Sequence, residues 1–364
     1  MRIGIITLPP SFNYGNILQA WALQSTLEAM GHQVEIVIGG PRRHRLSLWR
    51  RPLVYLKRFY LKYFRGQRNR IIFVEKAETI MFQHTETFIQ EHLHIHQYPS
   101  YSSIKESDYE GFVVGSDQIW RRRYNGVIRN SYLGFTTGWN VKRVSYAASF
   151  GTSKWEYSYE ETADCAKLLS LFDGISVRED SGVNLVKNHF HLDAIKVLDP
   201  TLLIKPENYV KLFEEKGTPK SNGDLFYYLL SYNTVTKNKV QGIAEKCHLK
   251  PFRVFSRFDE QDAPLKERIQ PPVETWLRGI YDSKLVVTDS FHATVFSIIF
   301  QKPFILFESG VRGNERLESL LRMADFDMSG GIFEKEFIPT ETNRSSLESY
   351  KSLSINFLIS ALNN

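Results

Sequence analysis

Three observations predict an α/β fold of two Rossmann-like domains facing each other across a cleft. Short apolar runs with strand character alternate with helical periodicity, the pattern of parallel sheets joined by crossover helices. The 364 residues exceed what a single hydrophobic core usually organises, so two domains are expected. Polar or glycine-bearing clusters recur directly after the apolar runs, where open α/β sheets bind their ligands.

The elements follow in order. Arg2–Leu8 reads as the first strand. After the loop "PPSFNYGN" comes a helix in which Ala20, Leu23, Leu27 and Met30 recur at i+3/i+4 spacing, with Gly31 where a helix C-terminus favours glycine. Val34–Ile38, Gly111–Val114, Val144–Ala148, Gly174–Val177 and Ile195–Leu198 supply the remaining strands of the first half. Leu225–Ser231, Phe252–Phe255, Leu285–Thr288 and Phe304–Phe307 supply those of the second. The stretch "LDPTLLI" (198–204), followed by "KPENY", marks the domain junction. The expected division is therefore an N-terminal domain over 1–200, a C-terminal domain over 201–340 and a helix over 341–364 packing back on the body.

Composition narrows the class. Cys165 and Cys247 are far apart and lack metal-ligand spacing, so no disulfide framework is implied and a reducing compartment fits. The opening "MRIGIITLPP" has no long apolar core and reads as a strand, not a signal peptide. No uncharged run approaches the roughly 18–20 residues that span a bilayer. A soluble, cytoplasmic chain is expected. The net charge of +6 is local: residues 41–70 hold eleven Lys/Arg and no acid, which leaves −5 for everything else. Within an insert at 41–75, Leu53, Leu56, Phe59, Tyr60, Tyr63 and Phe64 form an apolar stripe with Lys57, Arg58 and Lys62 between them. A basic amphipathic helix of this kind suits an anionic membrane surface. A solvated helix packed on the first domain is the alternative, and nucleic acid fits least, because the rest of the chain is acidic.

Five clusters sit at strand exits. In "TDSFHATVF" (288–296), Ser290 is placed as a helix N-cap and His292 falls in the first turn, beside free N–H groups and the positive end of the helix dipole. Such a histidine can hold a phosphate or act as general acid/base; a capped helix with a packed histidine fits the same residues. Arg178 in "RED" suits a carboxylate or phosphate clamp, or an ion pair with its acidic neighbours. In "GSDQIW", Asp117 and Gln118 suit sugar hydroxyls or an Asx-type turn. "NYGN" places Gly15 where the backbone can approach a ligand and Asn16 as a possible cap, but neither GxGxxG nor a P-loop lysine is present. "SFG" (149–151) is the fifth. Arg312 and Arg316 stand four apart near a further helix start. His92, His94 and His96 alternate along a strand-like stretch without the partners of a metal site, and Glu207 and Glu215 sit in the junction helix.

Together "NYGNILQAWALQ", "VVGSDQIW", "SYAASFG", "ISVREDSG", "LDPTLLI" and "TDSFHATVFSIIFQKPFILF" resemble the polysaccharide pyruvyl transferase family, in matching order from about Asn13 to Leu321. The resemblance implies a GT-B-like fold, with the acceptor on the N-terminal side and the donor on the C-terminal side. It implies transfer of the enolpyruvyl unit of phosphoenolpyruvate to a sugar diol. The product is a pyruvate ketal on a surface polysaccharide, such as an exopolysaccharide or capsule, or on its lipid-diphosphate-linked precursor. His292 matches the family's histidine and Arg178 its donor-binding arginine, with Asp117 as base or hydroxyl binder. Ser290, Ala293, Arg316 and Arg178 would then hold the donor, and Asn13, Tyr14, Asn16, Asp117 and Gln118 the acceptor. Ala293 stands where similar sequences have Gly, so its methyl is expected to narrow the phosphate approach. Neither a metal nor a cofactor beyond phosphoenolpyruvate as co-substrate is implied. The basic stretch 41–70 would hold the protein at the inner face of the plasma membrane. Two readings compete: a nucleotide-sugar glycosyltransferase on the same fold, and a non-catalytic carbohydrate- or membrane-binding relative.

Overall fold

The computed structural model describes residues 1–42, 47, 49–260, 262–308 and 314–363; Arg312 lies outside the described residues. In chain order the first half comprises β1 (Arg2–Ile6), α1 (Tyr14–Ala29), β2 (Gln33–Gly39), α2 (Arg51–Phe64), α3 (Val74–Met81), α4 (Gln83–His92), β3 (Ile95–Tyr98) and β4 (Gly111–Val114). It continues with β5 (Lys142–Ala148), α5 (Tyr159–Leu169), β6 (Gly174–Val177), α6 (Asp180–Leu185) and β7 (Ile195–Lys196). The second half comprises α7 (Pro206–Glu215), β8 (Leu225–Tyr228), α8 (Thr234–Cys247), β9 (Pro251–Phe252), α9 (Val273–Asp282) and β10 (Leu285–Thr288). It ends with α10 (Phe291–Ile299), β11 (Phe304–Leu306), α11 (Glu315–Met323), β12 (Glu336–Phe337) and α12 (Glu341–Asn363).

The first seven strands form a parallel sheet in the order β3-β2-β1-β4-β5-β6-β7. The remaining five form a second sheet, β12-β11-β10-β8-β9, parallel except for β12. This is the GT-B-like pair of Rossmann-like sheets. Each sheet reverses its strand order once, between β1 and β4 and between β8 and β10. Crevices for ligands open at such reversals, outside the carboxyl ends of the strands.

Every strand expected from an apolar run is present, but several are shorter for identifiable reasons. β1 stops at Ile6, three residues before Pro9 and Pro10, which have no N–H to offer a ladder. β8 stops at Tyr228 because the N–H groups of Leu230 and Ser231 turn to the Asp289 carboxylate, at 2.7 and 2.8 Å. β7 is two residues long, since the chain must turn at Asp199-Pro200. The strand-like histidine stretch contributes β3, which carries His96, and the short antiparallel β12 was not expected.

α1 ends as its sequence predicts, with Gly31 beyond it at φ +89°, a conformation costly for other residues. Its burial is not one-sided, however. Tyr14, Ile17, Leu18, Ala20, Leu23 and Leu27 are all buried because both domains cover the helix. Tyr14 reaches into the second domain, stacks on Trp276 at 5.3 Å and donates its hydroxyl to the Pro271 carbonyl at 2.9 Å. One contiguous apolar cluster therefore runs from Ile3 and Ile36 of the first sheet to Phe226 and Val286 of the second. α12 returns to the first sheet, where Phe357 and Ala361 cover Gly174 and the Ser354 hydroxyl accepts the Leu198 N–H at 3.0 Å. Tyr14→Ala removes an aromatic ring shared by both cores, and a loss of about 3–5 kcal/mol is expected from chemical denaturation. A loss below about 1 kcal/mol would show that the domains hold together without it.

Candidate active site

The order reversals of the two sheets face each other, and a cavity of about 400 Å³ lies between them. Each wall is built by a strand exit. After β1, the Asn13 side chain caps α1 by accepting the Asn16 N–H at 3.1 Å, and the Asn16 amide donates to the Leu8 carbonyl at 3.1 Å. After β4, the Ser116 N–H donates to Gln19 at 3.1 Å, which fixes the turn carrying Asp117 and Gln118. Asp117 holds φ +55°, a left-handed conformation that aspartate tolerates better than most side chains. After β10, the Thr288 hydroxyl donates to the Tyr228 carbonyl at 2.6 Å and Ser290 caps α10 through the Ala293 N–H at 3.5 Å. With Ala293 capped, the N–H groups of Phe291 and His292 are those that an α-helix leaves outside its own ladder.

His292 stands in that first turn and lines the cavity. Its ring occupies the space where Gly15, at the start of α1, would carry a Cβ; no larger residue leaves room for the imidazole. The other face of the ring meets Asp199, with Nε2 3.7 Å from Oδ2. The Arg178 guanidinium donates to that same oxygen at 2.6 Å, while Thr201 donates its N–H and hydroxyl to Oδ1 at 3.0 and 2.6 Å. Burial alone would raise the Asp199 carboxyl, but the facing imidazole, Arg178 and Thr201 outweigh it and hold the group well below the usual carboxylate range.

Arg178 is 1% exposed and lies 4.5 Å from the centre of the Phe291 ring. Three carboxylates surround it: Asp199, then Asp117 with 3.7 Å between Nη2 and Oδ1, then Glu179 at 4.0 Å from Nε. Nε and Nη2 have no hydrogen-bond partner among the described residues. Burial opposes its charge, yet Asp199, Asp117 and Glu179 together raise its pKa. Glu179 accepts the Ser149 hydroxyl and the Phe150 N–H on Oε1 at 2.8 and 3.0 Å. Burial raises its carboxyl above the usual range, against the pull of Arg178 and Arg316.

Seven of the residues singled out in the sequence line this one cavity. Asn13, Asn16, Asp117 and Gln118 come from the first domain, and Ser290, His292 and Arg316 from the second. Three others do not reach it. Tyr14, expected at the acceptor, is fully buried in the interdomain core and its hydroxyl is occupied by Pro271. Arg178, expected as an open anion clamp, sits behind the wall on Asp199. Ala293 is fully buried, so its methyl does not narrow the approach. Sequence reading missed Asp199 and Phe291 as parts of the site, although the Asp-Pro pair after β7 marks Asp199 as a strand-exit carboxylate.

The histidine-rich stretch divides. His94 pairs with Glu28 at 2.9 Å and His96 with Glu35 at 3.3 Å, whereas His92 ends α4. Among the described residues, Glu91, His92 and Glu274 bring metal-type ligand atoms within 4.8 Å of one another, but the Lys216 ammonium already holds Glu91 at 2.8 Å.

The sequence profile of the polysaccharide pyruvyl transferase family matches residues 13–310. No curated protein matches the chain. Among solved structures, the chain is similar to a glycosyltransferase from Rickettsia africae ESF-5, at 12% identity and a TM-score of 0.45, covering 100% of this chain and 96% of that one. It is similar to the UDP-GlcNAc 2-epimerase of Methanocaldococcus jannaschii, at 13% identity and a TM-score of 0.46, covering 98% and 93%. The UDP-GlcNAc 2-epimerase of Neisseria meningitidis gives 10% identity and a TM-score of 0.48, covering 99% and 94%. The profile match takes in Asn13, Asp117, Arg178, Asp199 and His292, and with it the chain belongs to the polysaccharide pyruvyl transferase family.

Proposed function

We propose that the chain transfers the enolpyruvyl unit of phosphoenolpyruvate to two hydroxyls of a sugar, forming a pyruvate ketal on a surface polysaccharide or its lipid-linked precursor. The observation that carries this reading is the convergence of His292, Arg316 and the α10 N-terminus on the same cavity as Asp117, Asn13 and Asn16. One side offers cationic and N–H donors for a carboxylate and a phosphate; the other offers short polar side chains for hydroxyls.

Arg316 takes the role of anion clamp that the sequence suggested for Arg178, because it lines the cavity. Arg178 instead positions Asp199, and Asp199 faces the His292 ring and sets its orientation. In the reaction, the vinyl CH2 gains a proton and becomes a methyl group. A sugar hydroxyl adds at the adjoining carbon and gives up its proton to a base, the role assigned to Asp117. The C–O bond to phosphate then breaks, and the second hydroxyl closes the ketal while its proton leaves with the phosphate. His292 serves as general acid or as partner of the departing phosphate. No resident cofactor enters this scheme.

His292→Gln is expected to lower phosphate release from phosphoenolpyruvate plus acceptor by about 10²–10⁴-fold, the range for losing a general acid, with an unchanged melting temperature. Turnover near the wild-type rate would remove the assignment. A thermal-shift comparison separates the glycosyltransferase alternative: stabilisation by phosphoenolpyruvate supports transfer of pyruvyl, and stabilisation only by nucleoside-diphosphate sugars opposes it.

Gly15→Ala drives a methyl into the imidazole, so kcat is expected to fall at least tenfold while KM for the donor changes less. Steady-state kinetics with full-length protein checks the split. Asp199→Asn removes the charge to which the buried Arg178 is hydrogen-bonded and is expected to cost about 3–5 kcal/mol at neutral pH. Because the Asp199 carboxyl is held below its ordinary value, its contribution is complete above about pH 4 and is lost as pH falls toward its folded value. The stability gap between wild type and variant, read from denaturation at several pH values, should narrow on the acid side. A gap independent of pH would contradict that account.

A further inference from the structure

α2 is amphipathic, but it faces the wrong way for a helix that packs on its own protein. Its inward, half-buried side carries Arg51, Arg58 and Lys62 together with Val54, Tyr55 and Leu61. There Tyr55 donates to Glu75 at 2.6 Å, Arg51 lies 3.5 Å from the same carboxylate and Arg58 donates to the Ile71 carbonyl at 3.1 Å. The outward side carries Leu53, Leu56, Phe59, Tyr60, Tyr63 and Phe64, of which Leu53 and Phe64 are 72% and 70% exposed. Trp49, just before the helix, is 91% exposed. Lys57 on the helix and Arg65 just beyond its end are exposed. A soluble helix normally turns such a stripe toward its core.

We propose that this face is a docking surface for an anionic bilayer, with α2 lying in the plane of the interface. Charge selects the occupant: Arg50, Lys57, Arg65 and Arg68 are exposed and residues 41–70 contain no acid, which suits acidic headgroups and opposes a second copy of the same basic segment. Aromatic rings beside aliphatic ones are the composition of an interfacial helix. Among the described residues no helix is long and apolar enough to cross a membrane, and the 14 residues of α2 reach only about 21 Å at 1.5 Å per residue. The chain after α2 and the end of α3, against which α2 packs through Glu75, are tied toward the cleft. Asn69 donates to the Asp262 carbonyl at 2.6 Å, and Phe82 stacks at 5.0 Å on Phe12, which lines the cavity. Docking through α2 thus brings the cavity to the membrane surface, where a lipid-linked acceptor would be presented.

Co-sedimentation with phosphatidylcholine vesicles containing or lacking phosphatidylglycerol tests this without donor or acceptor, and so independently of the pyruvyl reading. Wild type is expected to partition onto the phosphatidylglycerol vesicles. The triple variant Leu53→Ser, Leu56→Ser, Phe64→Ser should bind at least tenfold more weakly, with unchanged melting temperature and unchanged turnover on a water-soluble acceptor. Lys57→Glu with Arg65→Glu should lose the preference for phosphatidylglycerol. Wild type that stays in the supernatant with both vesicles overturns the proposal, as does a triple variant that partitions like wild type. A wild-type dimer that the triple variant converts to a monomer, without vesicle binding, assigns the face to self-association and also overturns it.

Discussion

The buried contact between Asp199 and Arg178 is the constraint on which the rest of the site depends. Asp199 lies in the segment that leaves the first sheet, Arg178 at the exit of β6, and His292 on the first turn of a helix in the other domain. A carboxylate and a guanidinium removed from water are costly to hold, and that cost falls when each satisfies the other and further polar or charged groups surround them. Arg178 and Thr201 meet that demand for Asp199. Its Oδ2 is then an ionised atom at a fixed place, directly opposite the imidazole. The same buried pair therefore also sets the environment of His292 in the cleft wall.

The topology explains why these groups meet at all. In a sheet whose order reverses once, the loops on either side of the reversal diverge and leave a crevice. Here two such crevices face each other, so the residues after β1 and β4 look across at those after β8 and β10. Gly15 and Tyr14 are adjacent at the start of α1 and make the closure possible in opposite ways. The absent side chain admits the His292 ring, and the large one anchors the helix in the second core against Trp276. Interdomain packing and site geometry are thus fixed by neighbouring positions on one helix turn.

Much of this was legible in the sequence. Apolar runs marked the strands, and polar clusters after them marked seven residues that do share one cavity. What remained hidden was pairing. Arg178 has the composition of an anion clamp at a strand exit, but whether its guanidinium reaches solvent depends on a carboxylate 21 residues away, beyond an intervening helix and strand. Tyr14 reads as a loop aromatic near a ligand because nothing local announces Trp276, which arrives from the other domain. Asp199 was visible only as part of a junction, since an Asp-Pro turn looks the same whether its carboxylate closes a loop or holds an arginine. Local pattern fixes where a side chain leaves the backbone, and tertiary packing decides what it meets.

α2 shows the same limit in its simplest form. The periodicity of Leu53, Leu56, Tyr60 and Phe64 describes one stripe on one helix, and that stripe is identical whether it faces inward or outward. The decision belongs to the partners on the opposite side. Glu75 engages Tyr55 and Arg51, and the Ile71 carbonyl engages Arg58, so the polar side of the helix is the side held against the protein. Turning α2 over to bury the apolar stripe would break those contacts and leave Glu75 without them. The exposed stripe is therefore not a frayed remnant of the fold. It follows from specific polar contacts beneath it, which hold the aromatic face outward.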